Sequence, residues 1–106
     1  MVFTINDIDE AKTQFRIAFL ASYKLGESRK DYYCGITNNL GRRQAQHKVN
    51  EYLKSIECDS FETASAIENM LDKEGFNVGE EPGHGREGSV FVYMYKIVPG
   101  VTCEDC

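Results

Sequence analysis

The sequence predicts an α+β domain: one small mixed β-sheet, built from a hairpin plus one or two further strands and flanked by helices. Three observations carry this. A chain of 106 residues has room for one core. Its 42% hydrophobic and 27% charged residues are the balance of an ordinary globular protein rather than a disordered chain. Its apolar residues also change period, alternating in some stretches and recurring every three or four positions in others.

Residues 5–14 predict a short helix capped by Asn6 or Asp7. Phe15, Ile17, Phe19, Ala21, Tyr23 and Leu25 fall on every second position, which predicts a strand with one apolar face. The polar turn 26–31 then leads into a second strand over 32–36, closing a hairpin with a longer loop. Thr37, Asn38 and Asn39 are N-cap residue types directly before a helix over 40–49, whose first turn Gly41 weakens. A third strand follows over 51–58. Asp59 with Glu62 has the form of a capping box opening a helix over 60–74, with Ala64, Ile67 and Leu71 as its buried stripe and Gly75 as its stop. Residues 78–89 form a glycine-containing loop that lacks the Gly-Lys-Ser/Thr of a phosphate-cradling P-loop. Residues 90–98 form a β-branched and aromatic strand buried on both faces. The domain is therefore assigned to 15–98, with 1–14 as an N-terminal extension and 99–106 as a tail.

The net charge of −5 argues against a general nucleic-acid coat protein, yet the charge is uneven. Residues 16–54 hold eight basic groups (Arg16, Lys24, Arg29, Lys30, Arg42, Arg43, Lys48, Lys54) against Glu27, Asp31 and Glu51, a net +5, and the remainder carries −10. Such asymmetry points to a polyanion-facing surface. No apolar run approaches the ~18 residues of a membrane span, and the acidic start lacks a signal core, so a cytoplasmic location is expected. Cys34, Cys58, Cys103 and Cys106 are then expected as reduced thiols. Cys103 and Cys106 form half of a zinc motif that nothing else completes.

Four residues stand out for chemistry. Arg43 and His47, four apart, share a helix face. Glu68 lies one turn from both Ala64 and Leu71, at the edge of an apolar stripe where a carboxylate is costly without a partner. Tyr33 offers a phenol on the second strand.

Tyr33-Cys34-Gly35-Ile36-Thr37-Asn38-Asn39-Leu40-Gly41-Arg42-Arg43, followed by His47, resembles the second half of the GIY-YIG nuclease signature. Tyr33-Cys34-Gly35 takes the place of its Y-I-G element and Arg43 that of its catalytic arginine. Ala64, Glu68 and Leu71 match the spacing of the family's metal-binding helix, and Asn77 matches an asparagine at its exit. The best match to the first element is Ile17-Ala18-Phe19, with Phe19 in place of the tyrosine and Tyr23, on the same face, as another source of the hydroxyl.

The resemblance implies a minimal GIY-YIG-like domain acting as a divalent-metal-dependent endonuclease on DNA. Glu68 would hold Mg2+ or Mn2+, a hard ion suited to one carboxylate plus waters and phosphate oxygens. Arg43 would clamp the phosphate, and Tyr33 or His47 would take the proton from water. Lys24, Arg29, Lys30, Arg42 and Lys48 would contact flanking phosphates. No residue is seen to read base edges, so strong sequence specificity is not expected unless the protein forms a homodimer or residues 78–89 enter a groove, and target choice is otherwise expected from an accessory targeting protein. The rival expectation is a catalytically weak or inactive domain of the same fold that binds nucleic acid or a partner protein.

Overall fold

The structure, a computed structural model, describes residues 1–49, 53–79, 88 and 90–104. It is an α+β domain with a five-stranded mixed sheet and three α-helices.

Thr4 opens the chain's first helical segment. Its side chain accepts from the Asn6 N–H, and the Asp7 carboxylate accepts from the Thr4 N–H at 2.8 Å. A short 3-10 turn then runs into α1 (Ile8–Ser22). Residues 15–22 are therefore helical, and the expected strand over 15–25 is replaced. The reason is the burial pattern. Ala11, Phe15 and Phe19 recur at four-residue spacing and are all buried, whereas Ile17 is 58% exposed and Leu20 67% exposed. Alternation and helical periodicity share Phe15 and Phe19, and only the intervening positions tell them apart.

The remaining elements are β1 (Val2–Phe3), β2 (Tyr32–Thr37), α2 (Leu40–Gln46), β3 (Lys54–Cys58), α3 (Phe61–Lys73), β4 (Asn77–Val78) and β5 (Phe91–Lys96). The sheet order is β1-β3-β5-β2-β4. β5 runs antiparallel to both neighbours, while β1 pairs parallel with β3, and β4 with β2. The antiparallel partner of Tyr32–Thr37 is thus the last strand of the chain and not residues 15–25. The N-terminal segment 1–14 belongs to the same body, since Val2 and Phe3 pair with Glu57 and Cys58 and Ala11 lies in the core.

α3 begins one residue later than the Asp59–Glu62 box suggests. Ser60 is its cap, accepting from the Thr63 N–H, while Asp59 accepts from the Thr63 hydroxyl at 2.7 Å. Gly75 ends the helix at φ +104°, with Gly75 N–H bonded to Asp72 and Phe76 N–H to Leu71.

Strand alternation gives the sheet two unlike faces. Tyr32, Cys34, Val92 and Met94 point into the main core with α1 and α3. Tyr33, Tyr93 and Tyr95 point to the other face, with Val49 and Leu40. Cys34 and Cys58 are buried free thiols, whereas Cys103 is disulfide-bonded, contrary to the expected reduced state. Cys106, and most of the 78–89 loop, lie outside the described residues. Among the described residues no helix is long and apolar enough to cross a membrane.

Candidate active site

The second sheet face is built by pairing β2 with β5 so that Tyr33 lies opposite Tyr95 and Gly35 opposite Tyr93. Gly35 is what lets Tyr93 lie flat there. A Cβ at Gly35 would sit 2.5 Å from the Tyr93 hydroxyl oxygen and 2.7 Å from the ring carbon that bears it. Tyr33 and Tyr95 pack at a tilt with 5.4 Å between ring centroids, and Tyr33 lies 5.1 Å from the imidazole of His47.

α2 delivers Arg43 and His47 onto this face. Asn39 caps it by accepting from the Arg42 N–H at 3.0 Å, and Thr37 braces Asn39 in turn. The helix closes with Lys48 N–H on Ala45 and Val49 N–H on Gln44, a Schellman pattern that holds Lys48 at φ 56°.

His47 is fully buried, and its ring contacts define its protonation. Nδ1 faces the Cys103 carbonyl at 2.5 Å, and a carbonyl only accepts, so Nδ1 carries the hydrogen. Nε2 is then the acceptor, taking an Arg43 N–H at 3.1 Å and the Tyr93 O–H at 2.8 Å. Burial pushes the imidazole's pKa down; the Cys103 carbonyl opposes this, the Arg43 charge reinforces it, and Glu104 opposes it. The ring is therefore neutral at neutral pH, with its basic nitrogen, Nε2, engaged by Arg43 and Tyr93. Burial likewise raises the phenols of Tyr33, Tyr93 and Tyr95, while the Arg43 charge pulls Tyr33 and Tyr93 back down.

Glu68 sits on α3 at 4% exposure. Its charge acts on the phenols of both Tyr33 and Tyr93 and on the Cys34 thiol. The Arg43 charge acts on the same two phenols with opposite sign. Tyr33, Arg43 and His47 therefore meet around a phenol the sequence did not single out, Tyr93, while Glu68 lies on α3, the helix packed on the other face of the sheet.

Other expected residues lie elsewhere. Tyr23 caps the C-terminal end of α1, and its ring packs on Phe19 at 5.3 Å, on the α1 side of the sheet. Phe19 is in the main core. Arg29 is spread over the Phe19 and Phe76 rings, 5.1 and 5.8 Å from their centroids. Lys24 and Lys30 are exposed in the same turn region, and the Asn77 side chain donates to the Lys30 carbonyl, which makes Asn77 a brace for that turn. Arg42 is exposed and donates to Asn38 at 3.0 Å; Lys48 is exposed directly after His47.

Sequence reasoning missed Tyr93, Tyr95 and Glu104. The available signal was the composition of β5, where one alternating set (Tyr93, Tyr95) carries hydroxyls and the other (Val92, Met94) does not. Among the described residues no three His, Cys, Asp or Glu side chains group as metal ligands. Glu68, a single buried carboxylate, is of the donor type that suits a hard divalent ion completed by water and phosphate. No family model, curated protein or solved structure gives a significant match to this chain.

Proposed function

We propose that the protein is a divalent-metal-dependent endonuclease that hydrolyses DNA phosphodiesters, with a GIY-YIG-like site whose first tyrosine is Tyr93. One observation carries the reading. Tyr93 lies across Gly35, bonded to His47 and beside Tyr33 and Arg43, so the phenol sought near Phe19 comes from the last strand. A phenol at this position weakens one of the two grounds for the inactive-domain rival, Phe19 at the first tyrosine position; the other, the overall acidity of the chain, stands.

The residues divide the chemistry as follows. His47 accepts a proton at Nε2. Tyr93 is hydrogen-bonded to that nitrogen, so water at the phenol passes its proton to the Tyr93 oxygen as the phenol proton moves to His47, leaving hydroxide and imidazolium. Arg43 binds the phosphate and the charge that develops on it. Glu68 would hold Mg2+ or Mn2+, which when bound would supply charge neutralisation at the phosphate and the leaving oxygen. Arg42 and Lys48, on the same helix as Arg43 or just after it, contact flanking phosphates.

Supercoiled-plasmid nicking with Mg2+ or Mn2+ tests this. Arg43→Ala and Glu68→Ala should each lower the rate by about 100-fold or more, the usual cost of removing a transition-state donor or charge. Cleavage that survives both substitutions overturns the assignment. DNA binding without turnover in either metal restores the rival reading.

A further inference from the structure

The chain does not stop at β5. Beyond Pro99 and Gly100 it folds back: Val101 and Thr102 N–H groups both bond to the Val98 carbonyl at 3.0 Å, and the Thr102 hydroxyl accepts from the Val98 N–H at 3.0 Å. This turn lays residues 102–104 against His47. The Cys103 N–H donates to the His47 carbonyl at 2.8 Å, and the Cys103 carbonyl accepts from Nδ1. The Glu104 carboxylate accepts from the Tyr95 hydroxyl at 2.8 Å, and the Tyr95 oxygen lies 3.2 Å from Nδ1. His47 is therefore gripped at both backbone and ring by a segment the sequence analysis assigned as a tail.

We propose that the C-terminal turn is a positioning element of the active site: the Cys103 carbonyl fixes the proton of His47 on Nδ1, and Glu104, through Tyr95, holds the imidazolium that forms during turnover. The catalytic consequence rests on the nuclease reading; the tautomer does not. A neutral imidazole not held in this way places its hydrogen on either nitrogen. With the hydrogen on Nε2, that nitrogen would oppose the Arg43 N–H and could take no proton from Tyr93. Among the described residues the groups facing His47 are Arg43 from α2, Tyr33 from β2, Tyr93 and Tyr95 from β5, and Glu104 from the turn. Of these, Glu104 is the one that carries negative charge at neutral pH, and a carboxylate behind the Nδ1 side is how hydrolases steady a histidine base.

Long-range proton–nitrogen NMR of the full chain, with the imidazoles labelled and His47 assigned from its absence in His47→Gln, reads the tautomer directly. Plasmid nicking is run in parallel. The wild type should carry the hydrogen on Nδ1. Glu104→Gln, which keeps an acceptor for Tyr95 but loses the charge, should keep that tautomer. It should move the titration of His47 and the acid limb of the nicking profile together to lower pH, with a several-fold loss of rate. A chain ending at Val101 should show mixed tautomers and lose tenfold or more. The proposal is overturned if the wild type carries the hydrogen on Nε2, or if Glu104→Gln shifts neither profile while the shortened chain keeps tautomer and rate. If the NMR changes occur but no chain, wild type included, nicks DNA, the positioning assignment stands and the nuclease reading falls.

Discussion

Gly35 shows how one residue sets the site. Its missing side chain is the space occupied by Tyr93, whose ring is itself fully buried and cannot swing away cheaply. Gly35→Ala should therefore cost about 1–3 kcal/mol through overpacking and displace the phenol from His47. Gly41→Ala, where the nearest atom to a new Cβ is 3.7 Å away in a helix, should instead stabilise by about 0.5–1 kcal/mol. Urea unfolding of the two variants checks the pair, and a stable Gly35→Ala would contradict the geometry. The Tyr-x-Gly spacing was legible in the sequence, as were Arg43 and His47 on one helix face. What Gly35 makes room for was not, because its partner lies at the other end of the chain and neighbours in a sheet need not be neighbours in sequence.

Among the elements, α3 and β5 were readable because each carries a single dominant pattern: a capped 3.6-period stripe in one, a dense β-branched and aromatic run in the other. α1 was not. A strand over 15–25 puts Phe15, Ile17 and Phe19 on one face, whereas the helix buries Phe15 and Phe19 and turns Ile17 outward. The two readings predict different mutants. In the helix, Phe15→Ala should cost about 3–5 kcal/mol, while Ile17→Lys should stay within about 0.5 kcal/mol of wild type. Thermal or urea melts separate them, and an Ile17→Lys as damaging as Phe15→Ala would reinstate the strand. The same misreading put the hairpin partner of β2 before it in sequence, whereas β2 pairs with the last strand.

At the scale of the whole molecule, the central place in the sheet goes to β5, so the strand that pairs with β2 comes from the far end of the chain. The basic segment is likewise redistributed by folding. Arg16 pairs with Glu74 at 2.7 Å, Lys54 donates to Gln14 at 3.1 Å, and Arg29 covers two rings, so much of the +5 is spent within the fold. The basic groups nearest the site are those on or just after α2, which makes a short phosphate contact more consistent with the structure than a long basic track.

Burial of His47 in neutral form also links the site to global stability. Because its pKa is lowered from 6.5 in the folded chain, the unfolded chain binds the extra proton first. Stability should be full above that value and decline as pH falls through it. Glu27 and Glu74, both held below 4.5, contribute losses only at lower pH. Urea midpoints between pH 7 and 5 should fall less steeply in His47→Gln than in wild type, and identical slopes would contradict a buried neutral imidazole.

The most direct test of the central claim is metal-dependent plasmid nicking by Tyr93→Phe beside Tyr23→Phe. Loss of the Tyr93 hydroxyl should lower the rate by about 100-fold, within the range typical of acid–base groups, while Tyr23→Phe should match the wild type. Full activity in Tyr93→Phe, or its loss in Tyr23→Phe instead, would contradict the account.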